Sequence, residues 1–165
     1  MTKEIYNAIA NKLATVTDNN GNRVFRHIDL WNTQVEFLEQ EQPFEMPACF
    51  IEITPIQWQQ LGRGAQQANI DIALHIVTQW QLPTFHNGTY QAAGTEYLDI
   101  PNHVWADLHR HSNPAFGTLM RITSHVNHNH AEIIDSVENY RGVAQIVPQQ
   151  TETPVTASPV ITIGQ

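Results

Sequence analysis

Residues 68–78, ANIDIALHIVT, alternate with a period of two. Ile70, Ile72, Leu74 and Ile76 fall on one side of an extended chain, and Asp71, Ala73, His75 and Val77 on the other. Successive side chains of a strand point to opposite faces, so the pattern commits this segment to a sheet with one apolar face. That face needs neighbouring strands and a layer to cover it. Two earlier runs share the period. VFRHIDLW, 24–31, sets Val24, Arg26, Ile28 and Leu30 against Phe25, His27, Asp29 and Trp31, and ACFIEIT, 48–54, sets Cys49, Ile51 and Ile53 inward with Glu52 and Thr54 outward. TLMRITSHV, 118–126, and EIIDSVENYRGVAQI, 132–146, alternate less cleanly and predict two more strands.

The covering layer is legible as two helices. Over 2–16, Ile5, Ile9, Leu13 and Val16 share one face, Thr2 is placed to cap the start, and the turn-rich TDNNGN ends the run. Over 99–111, Ile100, Val104 and Leu108 line one face with Trp105 beside them. Asp99 or Asn102 is placed to cap, and His109, Arg110 and His111 sit at the end that favours positive charge. A polar connector leads to Pro47, and Asn113-Pro114 closes the second helix. The order helix, three strands, helix, two strands predicts an α+β domain over 1–146, with an antiparallel β-sheet of four to five strands and both helices on one face. The stretch 147–165, with three prolines and several threonines, reads as an extended or disordered arm whose final VITI is apolar enough to join a sheet.

Chemistry is sparse. Net charge is −8, and the eight Lys and Arg are scattered, which argues against a broad face for nucleic-acid phosphates. Polarity comes instead from 28 Asn and Gln residues, suited to neutral hydrogen bonding. One cysteine leaves no internal disulfide and no Cys-based zinc framework, and within CFIEI it reads as a small buried hydrophobe. No apolar run approaches the roughly 18 residues of a membrane span, and the amphipathic N-terminus lacks a signal peptide's apolar core, so a cytoplasm or a particle assembled in one is expected. The four serines lack a nucleophile-elbow context, and Asp135 and Glu138 point to opposite faces of a strand.

The stretch SHVNHNHAEIID, 124–135, is the one place where metal ligands crowd: His125, His128, His130 and Asp135. Zinc needs three or four ligands converging at about 2 Å, each held by further bonds. Nothing in this spacing forces convergence. Asn127 and Asn129 are turn-formers, and the expectation is a surface turn with no metal, no cofactor and no catalytic residue. The segments between elements offer contacts instead. PIQWQQLGRGAQQ, 55–67, reads as a long hairpin loop in which Gly62 and Gly64 supply positive φ. It lacks the Lys-Ser/Thr of a P-loop, and it carries Trp58, Leu61 and Arg63. The connection 79–98 is long for a compact domain and carries Trp80, Phe85 and Tyr90. These six are the interface candidates, with ordinary core packing as the competing reading for each tryptophan.

Taken in order, KEIYNAIANKL, FRHIDLW, PACFIEITPIQWQQLGRGAQQANIDIALHIVT, IPNHVWADLH and GTLMRITSHVNHNHAEIIDSVENYRGVAQ resemble the tail-terminator or tail-completion (neck, head–tail joining) proteins of tailed bacteriophages. The resemblance spans 1–146 and rests on element order and segment style. It implies an antiparallel sheet flanked by helices and a non-enzymatic virion protein assembled in the host cytoplasm. It also implies a homo-oligomer, a hexameric ring that caps the tail tube protein and meets the head–tail connector and adaptor proteins. DNA would cross the lumen without specific binding, and an acidic lining would repel it. Long loops and the tail would reach neighbours. Two other classes stay open: another head–tail adaptor, and a metal-dependent enzyme built on the 125–135 cluster.

Overall fold

The 68–78 alternation lies within a strand of fifteen residues. A computed structural model describes residues 1–37, 44–54, 57–80, 82–129 and 132–148. Its strands are β1 His27–Leu30, β2 Ala48–Ile53, β3 Gln57–Gly62, β4 Ala65–Gln79, β5 Ser112–Asn113, β6 Gly117–Thr118, β7 Met120–Asn127 and β8 Ile133–Ile146. Its α-helices are α1 Thr2–Leu13, α2 Gln91–Gly94 and α3 Ile100–Leu108, with 3-10 turns at Gln34–Phe37 and Glu96–Asp99. The fold is mixed α+β with a mostly antiparallel sheet. Its strand order is β1-β2-β4-β8-β7, and β3 also pairs with β4; β5 and β6 form a separate two-stranded sheet.

Strand β4 is the spine. It pairs antiparallel with β8 from Gln66↔Ile146 to Gln79↔Ile133, and its other edge takes β3 at one end and β2 at the other. Ile70, Ile72, Leu74 and Ile76 face the main core, where they meet Cys49 and Ile51 of β2, Ile5, Ile9 and Leu13 of α1, and Val104 and Leu108 of α3. Each of these aliphatic side chains contributes about 1.5–3 kcal/mol by leaving water. The opposite face is buried too. Ala48 and Phe50 of β2 and Val77 of β4 form a second core with Val35 and Ile133, against which Trp31, Phe44 and Met46 pack. The connection between β1 and β2, polar by composition, is thus anchored to the sheet by its few large apolar side chains.

That connection explains the main departure from the expected sheet. β1 pairs with β2 in parallel, in register from His27↔Ala48 to Leu30↔Ile51, so the sheet is not wholly antiparallel. Parallel neighbours need a crossover of a dozen or more residues, and the span between Leu30 and Ala48 is long enough to provide one. The strand expected over 24–31 shortens to four residues: Val24 and Phe25 are both buried and lie ahead of it, so the alternation there does not mark two faces of a strand.

Over its described residues, 57–67, the segment expected as a long loop is a strand, a turn and the start of another strand. Gln57–Gly62 is a strand on β4, and only the tight turn through Gly62, Arg63 and Gly64 bends back, all three with positive φ. Periodicity missed it because glutamines occupy both faces. The 79–98 connection contains α2 and a 3-10 turn. Helix α3 ends at Leu108: His109 is extended and Arg110 has φ 67°, so 109–111 lie beyond the helix and not in its last turn. Neither α1 nor α3 has a side-chain cap bond, and Met1, not Thr2, precedes the first helical residue. Among the described residues the sheet is six-stranded, not four or five. The extended arm expected over 147–165 lies outside the described residues beyond Pro148.

Candidate functional site

The buried ionisable groups cluster where β2, β4 and β8 run side by side. The pairings Phe50↔His75 and His75↔Val137 place His75 on the face of the second core, with Glu52 and Asp135 one diagonal step away on either neighbour. His75 Nε2 lies 3.3 Å from Glu52 Oε2, and His75 Nδ1 lies 3.3 Å from Asp135 Oδ2. Trp31 covers the ring in a parallel stack, centroids 3.7 Å apart and planes 4° from parallel. Asp135 is wholly buried; Asn127 Nδ2 donates to its Oδ2 at 3.3 Å, while its Oδ1 has no hydrogen-bond partner among the described residues.

This arrangement limits what the imidazole can do. A neutral ring has one N–H and satisfies one carboxylate, and only the imidazolium donates to both. A general base needs a nitrogen facing substrate, yet both nitrogens here face carboxylates. Nor do the carboxylates converge on a point, because the ring lies between them. Among the described residues no group of three or more His, Cys, Asp and Glu is disposed to hold a metal ion. The nearby Cys49 thiol is fully buried on the opposite face of the sheet, and burial, followed by the charge of Asp135, pushes its pKa far up, so thiolate chemistry is suppressed.

A second buried carboxylate, Glu138, faces the main core. Arg121 Nη1 donates to it at 3.2 Å and Ser124 Oγ at 2.7 Å, and the guanidinium lies 5.5 Å from the centre of the Trp105 ring. Tyr140 is buried in the same region, its hydroxyl pKa raised by burial and then by the charge of Glu138. An open groove of about 1180 Å³ runs between the Asp18–Arg26 turn and the start of α3, lined among others by Asp18, Arg26, Thr78, Tyr97, Asp99 and His103. Its charges are of both signs. The Asp18 carboxyl is held below the usual range by the Asn22 backbone N–H first, and is committed to its own turn.

Among its described residues the histidine-rich stretch does not come together as a ligand cluster. His125 is exposed on β7, His128 is exposed past its end, and His130 lies outside the described residues. Asp135 turns inward to His75. Of the contact candidates, Trp58 is partly buried against the main core. Leu61 is 55% exposed, Trp80 49%, Phe85 68% and Tyr90 55%, and Arg63 is exposed in the hairpin turn. Trp80 lies beside Tyr97, ring centroids 6.4 Å apart. Exposed apolar side chains that periodicity did not single out as contacts include Leu98, Trp105, Met120, Ile122 and Val126. The Glu52–His75–Asp135 set was also missed. Its only sequence signal was an imidazole inside the clearest strand, and nothing local links it to positions 23 and 60 residues away.

No helix among the described residues is long and apolar enough to cross a membrane. The chain matches no protein-family model and no curated protein.

Proposed function

We propose that the chain is a structural virion protein of a tailed phage. It is a tail-terminator or neck component that assembles as a ring, caps the tail tube and joins it to the head connector. The observation that carries the contact role is the distribution of large apolar side chains. Leu61, Trp80, Phe85 and Tyr90 stand exposed on the hairpin and on the long connection, while the buried ionisable groups are turned toward one another and not toward a cleft. Aromatic and aliphatic anchors of this kind supply binding energy once a partner surface excludes water from them. The neck assignment itself rests on the likeness of the segments over 1–146. The net charge of −8 suits a channel that DNA crosses without sticking.

Native mass spectrometry followed by negative-stain imaging tests this reading. The expected species is a closed ring of about six copies of the 18.7 kDa chain, binding the ends of isolated tail tubes. A protein that stays at its own chain mass, at high concentration and in the presence of tubes, would sink it.

A further inference from the structure

We propose that β3 of one copy pairs strand to strand with β7 of the next, so that the sheets of neighbouring subunits run on head to tail. The inference rests on the ring reading and states how the ring is held. Among the described strands β3 pairs only with β4, and β7 only with β8. Among the described residues each therefore presents an outer row of backbone N–H and C=O groups without a strand partner, save that the Arg121 N–H of β7 donates to His109 Nδ1. Natural sheets blunt such edges with lysine, proline, bulges or very short strands, because an unblunted edge is a template for another strand. The β3 sequence, QWQQLG, contains no charge and no proline, and four consecutive residues, Gln57–Gln60, hold regular register. In β7, MRITSHVN, the one permanent charge, Arg121, donates to buried Glu138. The bulge between Arg121 and Thr123 leaves Thr123–Asn127 regular.

The occupant that fits is a second copy of this chain. β7 terminates the sheet on one side, and β3 lies on the opposite side of β4 from β8 and β7; the third edge strand, β1, has only four residues and carries Asp29, so one kind of contact pairs the two edges that are not blunted. Repeated head to tail, such a contact closes into a ring or continues as a filament, whereas a two-fold β3–β3 contact leaves β7 open. The flanking side chains are compatible: Gln57, Gln59, Gln60 and Leu61 on one edge meet Thr123, Ser124, His125 and Val126 on the other, and all eight are exposed amide, hydroxyl, imidazole or aliphatic groups.

Cysteine pairing tests it on the full chain. Chains carrying Gln59→Cys or Gln60→Cys are mixed with chains carrying Thr123→Cys, Ser124→Cys or His125→Cys and oxidised; Cys49 is buried and stays silent. At least one β3/β7 combination should give a mixed disulfide dimer, and a chain carrying both members should give a ladder of multimers. In parallel, Gln59→Lys with Leu61→Lys should drop the native mass to that of the single chain with unchanged far-UV circular dichroism, and Thr123→Lys should do the same from the other edge. If rings persist in the lysine variants and no β3/β7 combination cross-links, this pairing is wrong while the ring reading stands. Disulfides formed efficiently by Gln59→Cys chains alone would replace it with a two-fold contact. A wild-type chain that never oligomerises, even on tubes, removes both.

Discussion

At the scale of single residues, the most informative group is His75. Its ring is almost enclosed, with a buried carboxylate on one side, a half-exposed one on the other and an indole above. Removing the imidazole leaves the fully buried Asp135 Oδ2 without that hydrogen-bond partner, a loss of about 1–3 kcal/mol. His75→Leu is therefore expected to lower the urea midpoint strongly, and pairing it with Asp135→Asn should recover part of the loss. Glu52→Gln should cost less, about 1 kcal/mol at most, because that side chain is well exposed to solvent. Urea titrations of the three variants check this order. The Asp71–Arg141 pair offers a contrast at the surface, bidentate at 2.6 and 2.7 Å. The hydrogen bonds from Arg141 hold the Asp71 carboxyl below its usual range. A carboxyl depressed in the folded state contributes stability above the ordinary Asp pKa of about 3.9, and that contribution fades as pH falls through the folded value. Asp71→Asn should lower the neutral plateau slightly and leave stability at low pH almost unchanged, so that the acid limb becomes shallower, as read by urea midpoints across pH.

At the scale of elements, α1 and the β5–β6 hairpin show how the sheet is capped. α1 is held by Ile5, Ile9 and Leu13, all essentially free of solvent contact, and by the ion pair of Lys12 with Asp107 of α3. Ile9→Ala removes methyl groups from the middle of that seam and is expected to cost about 2–5 kcal/mol, measurable by thermal or urea unfolding. The hairpin crosses β8 at a close approach: Val143 donates its N–H to the Phe116 carbonyl at 2.8 Å, and a Cβ at Gly142 would run into that same carbonyl. Because the obstacle is backbone, Gly142→Ala should destabilise by about 1–3 kcal/mol through displacement of the hairpin, with a lowered melting temperature as the readout. Much of this level was readable in advance. The apolar face of α1, the alternation of β4 and the inner face of β2 follow from spacing alone. β3 was not readable, because strand pairing through backbone leaves no mark in a glutamine-rich segment. The end of α3 was misplaced because His109–His111 suit a helix end by charge, whereas the backbone leaves the helix at Leu108, three residues before His111.

At the scale of the whole molecule, the two cores share the same strands. Cys49 and Ile51 face one, Ala48 and Phe50 the other, and β4 serves both. Neither face can lose its cover without exposing strands that the other face depends on. A single cooperative unfolding transition is expected, with tryptophan fluorescence and far-UV circular dichroism giving coincident curves. Two separated transitions would mean that the Trp31–Met46 side melts independently.

Local spacing by itself determined which segments bury a face, that β4 is extended, that α1 and α3 are amphipathic, and that Gly62 and Gly64 turn the chain. Those are properties of neighbours a few residues apart, where side-chain period and backbone freedom decide the outcome. Tertiary structure alone decided that β1 runs parallel to β2, that Trp31 lies on His75, that Asp135 turns from the histidine-rich stretch to His75 across the sheet, and that β3 and β7 stand at open edges. Each of these depends on which strands become neighbours, and strand pairing is made by backbone groups that every residue except proline carries alike.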